Sequence, residues 1–206
     1  MTLPPNPDVK GFLADSEGEF LHGLALQAAP EGPILEIGSY CGRSTIWLAA
    51  AAKQRDTVVF ALDHHRGSEE HQIGEFFHDS DLVDATGRFD SLPAFRQNIA
   101  DAGLEPWVIA LVGANTAVGR FLSTDFSTVF IDGGHSLDAA INDWNTFGTR
   151  VAPGGILAIH DVFPDSGEGG QAPYTVWRMA LDSGLYEAIG QQDSLRALRR
   201  RNAQQG

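Results

Sequence analysis

Three positions in the second half of the chain could act together on an ion or a proton. Asp132 ends the apolar run Val129-Phe-Ile131 and is followed by Gly133, Gly134 and His135. His160 and Asp161 end a second run, Ile156-Leu-Ala-Ile159. Carboxylates and imidazoles are ligands for divalent cations, and imidazole is the side chain that exchanges its proton near neutral pH. A single aspartate after a buried strand is ordinarily a turn former or a helix cap. Here two strands end in aspartate, one with a histidine three residues on and one with a histidine just before, and this favours a shared site.

Such a site needs elements to position it. Short apolar runs stopped by glycine or turn residues read as buried strands of a parallel sheet. Between the two lies Asp138 to Arg150, a segment of helix length, and then Pro153-Gly154-Gly155, a turn. That order makes one strand–helix–strand unit, so the strands are expected to be parallel and to open their carboxyl ends on one edge. Paired strands lie about 4.8 Å apart, close enough for Asp132 and Asp161 to share an ion. His160 adds a condition. Consecutive residues of a strand point to opposite faces, so His160 and Asp161 can both ligate only if the strand has ended by His160.

A second candidate site lies upstream. Pro30 to Pro33 breaks the chain before the strand Ile34 to Ile37, a turn carrying Gly38 and Gly42, and a helix with Ser44 or Thr45 near its start. Glycines let backbone approach a ligand, and a new helix offers free N–H groups. The turn lacks the third glycine of the dinucleotide fingerprint. The next strand, Thr57 to Leu62, ends on Asp63, which suits a ribose diol and equally a capped turn.

The remaining chain completes one α/β domain of about seven strands. Met1 to about Asp8 reads as a loose arm, and Phe12 to Gln27 as a helix covering an edge of the sheet. Residues 64–91 read as a substrate lid with one short helix. Its His64, His65, His71 and His78 follow no metal-binding spacing and are expected to be polar lid contacts. Leu92 to Ala102 is a helix stopped by Gly103. Val108 to Val112 is a strand leading to Gly113-Ala114-Asn115, and a helix follows as far as Phe121. Beyond Asp161 come a glycine-rich loop, a helix from Tyr174 to Asp182, and a hairpin of Leu185 to Ile189 with Leu195 to Leu198. The last strand is therefore expected to be antiparallel.

Composition narrows the function classes. A chain of 206 residues with 43% hydrophobic and 20% charged residues is an ordinary single globular domain. No apolar run approaches the roughly 18 residues of a membrane span, and the first residues lack a secretory signal. The single cysteine, Cys41, forbids an internal disulfide, and a cytoplasmic location is expected. A formal charge of −13 disfavours nucleic acid and polyanionic partners. The Arg199-Arg200-Arg201 cluster reads as a solvated end.

The stretch Leu35 to Ser44, with Asp63, Gly113-Ala114-Asn115, Asp132 and His160-Asp161, resembles the class I S-adenosylmethionine-dependent methyltransferases. In particular it resembles the metal-dependent O-methyltransferases, such as catechol O-methyltransferase and the macrolide-sugar O-methyltransferases. The resemblance runs from about Pro33 to Leu198. It implies a Rossmann-like, mostly parallel seven-stranded sheet with an antiparallel last strand and helices on both faces. It implies that Glu36, Gly38, Tyr40 and Ser44 line the methionine half of the cofactor, with Ser39 and Asp132 also at the cofactor. Asp63 would hold the ribose, and Ala114 and Asn115 would flank the adenine. Asp132, His160 and Asp161 would ligate a divalent metal, magnesium or manganese. His160 stands where the family usually has a carboxylate, and imidazole suits manganese, iron or zinc better than magnesium.

His135 stands where catechol enzymes carry lysine and sugar-modifying relatives carry histidine. That moves the expected acceptor towards the hydroxyl of a sugar, such as a mannoside or rhamnoside, and makes His135 the candidate general base. The implied partner is a small-molecule or oligosaccharide acceptor, and a homodimer is the expected assembly. Other readings stay open: a catechol-type enzyme, a metal-dependent hydroxylase on the same fold, a nicotinamide dehydrogenase, and a catalytically silent binding domain.

Overall fold

The computed structural model describes residues 9–68, 79–134 and 136–202. Its centre is a seven-stranded sheet in the order β3-β2-β1-β4-β5-β7-β6. The strands are β1 (Ile34–Ile37), β2 (Val59–Asp63), β3 (Val108–Val112), β4 (Phe126–Ile131), β5 (Val151–Ile159), β6 (Tyr186–Gln192) and β7 (Leu195–Arg200). The first five run parallel, and β7 is antiparallel to both β5 and β6. This is the Rossmann-like sheet expected from the sequence, including the antiparallel hairpin.

Helices cover both faces, as a sheet apolar on both sides requires. On one face lie α1 (Asp15–Gln27), α2 (Arg43–Gln54) and α3 (Leu92–Asp101), packing Leu21, Trp47, Leu48 and Phe95 against Ile34, Phe130, Ile156 and Ala158. On the other lie α4 (Asn115–Gly119), α5 (Leu137–Asp143) and α6 (Ala172–Asp182). There Trp144, Phe147 and Val176 meet Leu35, Val129, Leu157 and Ile159. Residues of β1, β4 and β5 therefore alternate between the two cores with a period of two. This alternation decides where the site residues point.

Growth of the sheet reverses between β1 and β4. The chain builds outward from β1 through β2 to β3, then crosses back to β4 on the other side of β1. That switch point is where open α/β sheets bind ligands, beyond the carboxyl ends of the strands. Registers Ile37↔Ile131 and Ile131↔Ile159 bring the ends of β1, β4 and β5 level.

Several element boundaries differ from expectation for local reasons. The first helix starts at Asp15, not Phe12, because the Glu17 carboxylate accepts the Ala14 N–H at 3.2 Å and sets the first turn there. The preceding Val9 to Leu13 is extended arm, tied to α2 by Arg43, which donates to the carbonyls of Leu13 and Val9 at 2.7 and 3.0 Å. Pro153-Gly154-Gly155 is not a free turn. It lies inside β5, and Gly154, at φ +79°, lies in the stretch where the register on β4 shifts. The segment expected as a helix from Asp138 to Arg150 is α5 followed by a wider π-helical turn, Trp144–Gly148. Part of the expected lid, residues 69–78 with His71 and His78, lies outside the described residues. The remainder holds a short 3-10 turn, Ser80–Leu82, and a bridge between Val83 and Phe89.

Candidate active site

The turn after β1 forms one wall of the site. Ile37 is the last strand residue, and Gly38 follows at φ +89°, a conformation that favours glycine. The sequence suggests that Gly38 is small so that its backbone can approach a ligand. The structure gives another reason: a Cβ at Gly38 would collide with the backbone carbonyl of Asp132 in the turn after β4. Gly38 is where the two turns touch. Gly42, at φ +91°, precedes α2, so the hydroxyls of Ser44 and Thr45 are not needed to cap that helix.

Those hydroxyls instead donate to Glu36. Glu36 is fully buried on the α2 side of β1, and one of its oxygens, Oε1, has no hydrogen-bond partner. Burial pushes its carboxyl up to about 8, against the pull of the Ser44 and Thr45 hydroxyls, and the Asp132 and Asp63 carboxylates add to the rise. Near neutral pH Glu36 therefore keeps its proton.

Asp63, at the tip of β2, fastens the wall. Its Oδ2 accepts the Tyr40 N–H at 2.9 Å and its Oδ1 accepts the His65 N–H at 2.7 Å. Tyr40 and His65 both hold left-handed backbones, at φ +46° and +56°. A left-handed backbone is costly for residues with a Cβ and persists where surrounding bonds enforce it. One carboxylate enforces both. Its remaining lone pairs stay available to a diol. His65 itself is buried with Nδ1 2.9 Å from the Ser91 hydroxyl, so it is a packed polar contact of the kind expected.

The second wall is built from side chains. His160 follows β5 immediately, on the face that Ile156 and Ala158 share with α1. Asp132 stands in the same phase of β4 as Phe130, so it meets His160: Oδ1 lies 3.0 Å from Nδ1. Asp161 would point to the opposite face in an extended strand. Its φ of +55° turns it back, and its carboxylate comes within 3.5 Å of the same Nδ1. The condition set by strand alternation is met, since β5 ends at Ile159.

Glu17 of α1 completes the cluster, and sequence reasoning missed it. Its Oε2 lies 3.0 Å from His160 Nε2. Its position at the third residue of a helix signals a capping role, and nothing local connects it to a histidine 143 positions later. Burial would raise the Glu17 carboxyl, but hydrogen bonding and charge from His160, with the Ser194 hydroxyl and Ala14 N–H, hold it down to about 2. Burial alone would lower His160. The Asp132 charge and hydrogen bond, the Glu17 hydrogen bond and the Asp161 charge together raise it to about 11.

These donors suit a divalent cation. Asp132, His160 and Asp161 each offer a ligand atom, all within 4.8 Å of one another. Donors about 2.1 Å from a common ion stand about 3 Å apart when adjacent, close to the separations seen here. A cation at this place would take over from the Nδ1 proton in neutralising Asp132 and Asp161. The mixture of imidazole and carboxylate suits manganese, iron or zinc as well as magnesium.

Both walls open on one cavity of about 330 Å³, the size of a small-molecule site. Gly38, Ser39, Tyr40, Ser44, Asp63, Asn115, Asp132 and Asp161 line it. Glu36, Ala114 and His160 are not among the residues that line it. Asn115 is fixed by donating from Nδ2 to Asp143 Oδ1 at 2.7 Å. Phe12, Tyr40 and Phe89 add an aromatic side, with Tyr40 between rings 5.8 and 6.2 Å away. His135, the expected base, lies outside the described residues. No helix among them is long and apolar enough to cross a membrane.

A family model described as a methyltransferase domain matches residues 35–162, which includes both walls. The chain is similar to the O-methyltransferase TomG from Streptomyces achromogenes, involved in tomaymycin synthesis and solved with SAM. The identity is 20% and the TM-score 0.66, covering 95% of this chain and 83% of that one. It is also similar to the O-methyltransferase NovP, at 14% identity and a TM-score of 0.67, covering 91% and 80%. The SAH-bound Podospora anserina methyltransferase PaMTH1 is 14% identical with a TM-score of 0.63, covering 93% and 80%. At these identities the likeness is one of fold.

Proposed function

We propose that this chain, which belongs to the methyltransferase-domain family, transfers a methyl group from S-adenosylmethionine to a sugar hydroxyl with a divalent cation assisting. The observation that carries the reading is the meeting of two kinds of wall in one cavity. One is a glycine turn with a strand-end carboxylate, and the other is a cluster of cation donors of which Asp132 and Asp161 reach the cavity. Two neighbours of the same fold solved with SAM or SAH support the donor.

The cofactor supplies an activated methyl group, and the cation, held by Asp132, His160 and Asp161, supplies the Lewis acidity that makes a hydroxyl easier to deprotonate. The chain's own contribution is placement. Asp63 keeps the Tyr40 turn in shape and offers its free lone pairs to the ribose. Ser39, Tyr40 and Ser44 line the methionine side, and Asn115 borders the adenine. The aromatic side formed by Phe12, Tyr40 and Phe89 suits the flat face of a ring-shaped acceptor. His135 is the residue we assign to receive the acceptor proton, since imidazole is the side chain that exchanges its proton near neutral pH. His160 is unsuited to that role because carboxylates already occupy both of its ring nitrogens.

The test is transfer of labelled methyl from S-adenosylmethionine to a panel of mannosides, rhamnosides and catechols, with manganese or magnesium and with excess chelator. Sugar labelling is expected, lost with chelator and lowered more than about 100-fold in Asp132→Ala, since loss of even an outer metal partner typically costs 10–100-fold. Labelling that survives chelator removes the cation from the reading. Labelling of catechols alone moves the acceptor, and absence of any labelled hydroxyl overturns methyl transfer to oxygen. A requirement for dioxygen or a nicotinamide would point instead to the hydroxylase or dehydrogenase readings.

A further inference from the structure

We propose that Glu17 is a positioning residue for the cation site, holding the His160 ring so that Nδ1 faces Asp132 and Asp161; this rests on the reading of those three residues as ligands. A histidine ligand needs its second nitrogen fixed, because that hydrogen bond sets the tautomer and the ring orientation. Here the fixing group comes from α1, the helix that precedes the whole sheet in sequence.

The argument turns on the other partners of Glu17. Oε1 accepts the Ser194 N–H at 2.9 Å, the Ser194 hydroxyl at 2.8 Å and the Leu195 N–H at 3.2 Å, all at the turn joining β6 to β7. Oε2 accepts the Ala14 N–H at 3.2 Å as well as facing His160. Four N–H and O–H donors thus converge on the two oxygens, an environment that favours the ionised, acceptor-only carboxylate. The proton between Glu17 and His160 therefore sits on Nε2, and the lone pair of a neutral ring falls on Nδ1. That atom is the one 3.0 Å from Asp132 and 3.5 Å from Asp161.

An isosteric change exposes this dependence. Glutamine has one acceptor oxygen where the site uses two. If its oxygen faces the hairpin, its NH2 group faces Nε2 and forces the proton onto Nδ1, the ligand atom. If its oxygen faces His160, the NH2 group meets the Ser194 and Leu195 N–H groups. Neither arrangement keeps both the proton on Nε2 and the anchorage to the hairpin.

The experiment measures Mn2+ binding by the loss of the free-ion electron paramagnetic resonance signal, without turnover, in wild type, Glu17→Gln, His160→Ala and the double variant. S-adenosylhomocysteine binding by calorimetry serves as the control for folding. Glu17→Gln, which loses either the His160 tautomer or the hairpin anchorage, is expected to weaken Mn2+ about 10–100-fold, with S-adenosylhomocysteine affinity within about twofold. In the His160→Ala background the same substitution should change Mn2+ affinity by less than about twofold, because its effect passes through His160. A merely structural role for Glu17 would not produce that dependence. Unchanged Mn2+ affinity in Glu17→Gln, or an equal loss in both backgrounds, overturns the inference while leaving the ligand assignment intact. If wild type itself binds no Mn2+, the cation reading fails first. Should Glu17→Gln lose S-adenosylhomocysteine binding, Glu17→Asp takes its place: one methylene shorter, it cannot reach both His160 and the hairpin, and unchanged Mn2+ affinity there also overturns the inference.

Discussion

The two walls of the cavity face one another but are made differently. The wall after β1 and β2 is fastened through backbone over short range, with Asp63 holding the Tyr40 and His65 N–H groups. The wall after β4 and β5 is fastened side chain to side chain over long range, from Glu17 of α1 through His160 to Asp132. A backbone-built wall tolerates changes in side chains that only line it, since its shape lies in φ and ψ. A side-chain relay depends on every member, because one lost partner leaves a buried polar group unsatisfied. The first wall suits a ligand common to a whole family, and the second suits an ion held by a few exact donors.

The largest effect is expected where the two walls touch. Gly38→Val would drive a branched side chain into the Asp132 carbonyl and would also strain a backbone at φ +89°. A loss of stability of about 4 kcal/mol or more is expected, in the exceptional range for a single substitution, with cofactor and Mn2+ binding lost together. Chemical denaturation and calorimetry check it. If only cofactor affinity falls, the walls are independent and Gly38 faces the ligand alone, as the sequence suggests.

A middle effect is expected for Asp63→Ala, which should break the backbone wall and spare the other. Two N–H groups lose their acceptor and two left-handed residues lose their restraint. S-adenosylhomocysteine affinity should fall by about 1–3 kcal/mol, with Mn2+ affinity unchanged in the same titrations. Equal loss of both ligands would erase the distinction drawn between the walls.

An effect seen in pH dependence alone concerns Glu36, the carboxyl behind the backbone wall. Its folded-state value of about 8 exceeds the ordinary 4.5, so the folded protein keeps a proton that the unfolded chain loses. Stability from this group is therefore fully present below about pH 4.5 and declines as pH rises towards 8. Glu36→Gln, neutral throughout, should show a flatter profile across that window, in urea melts at pH 5 and pH 8. A parallel pair of profiles would place the proton elsewhere.

The places of Gly38 and Asp63 were legible because their signals are local, whereas Glu36 was named only through the family resemblance and lies behind the lining. A strand, a glycine turn and a helix occupy some twenty consecutive residues, and the next strand delivers Asp63 to the neighbouring position in the sheet. Asp132 and Asp161 were legible for the same reason, as the ends of two apolar runs joined by one crossover. The register shift in β5 was hidden, because Pro153-Gly154-Gly155 has the same composition whether it turns the chain or bulges a strand.

The sequence by itself determined the α/β class, the parallel pairing of β4 with β5, and the carboxyl edge on which the site residues gather. Those follow from hydrophobic periodicity and the handedness of crossovers, which need only neighbouring residues. Only the tertiary structure decided that Asp161 turns back at φ +55° to face the same point as His160, and that α1 delivers Glu17 there. The physical reason is that a hydrogen bond between side chains 143 residues apart depends on the packing of α1 against the finished sheet, and no local pattern of residue types encodes that distance.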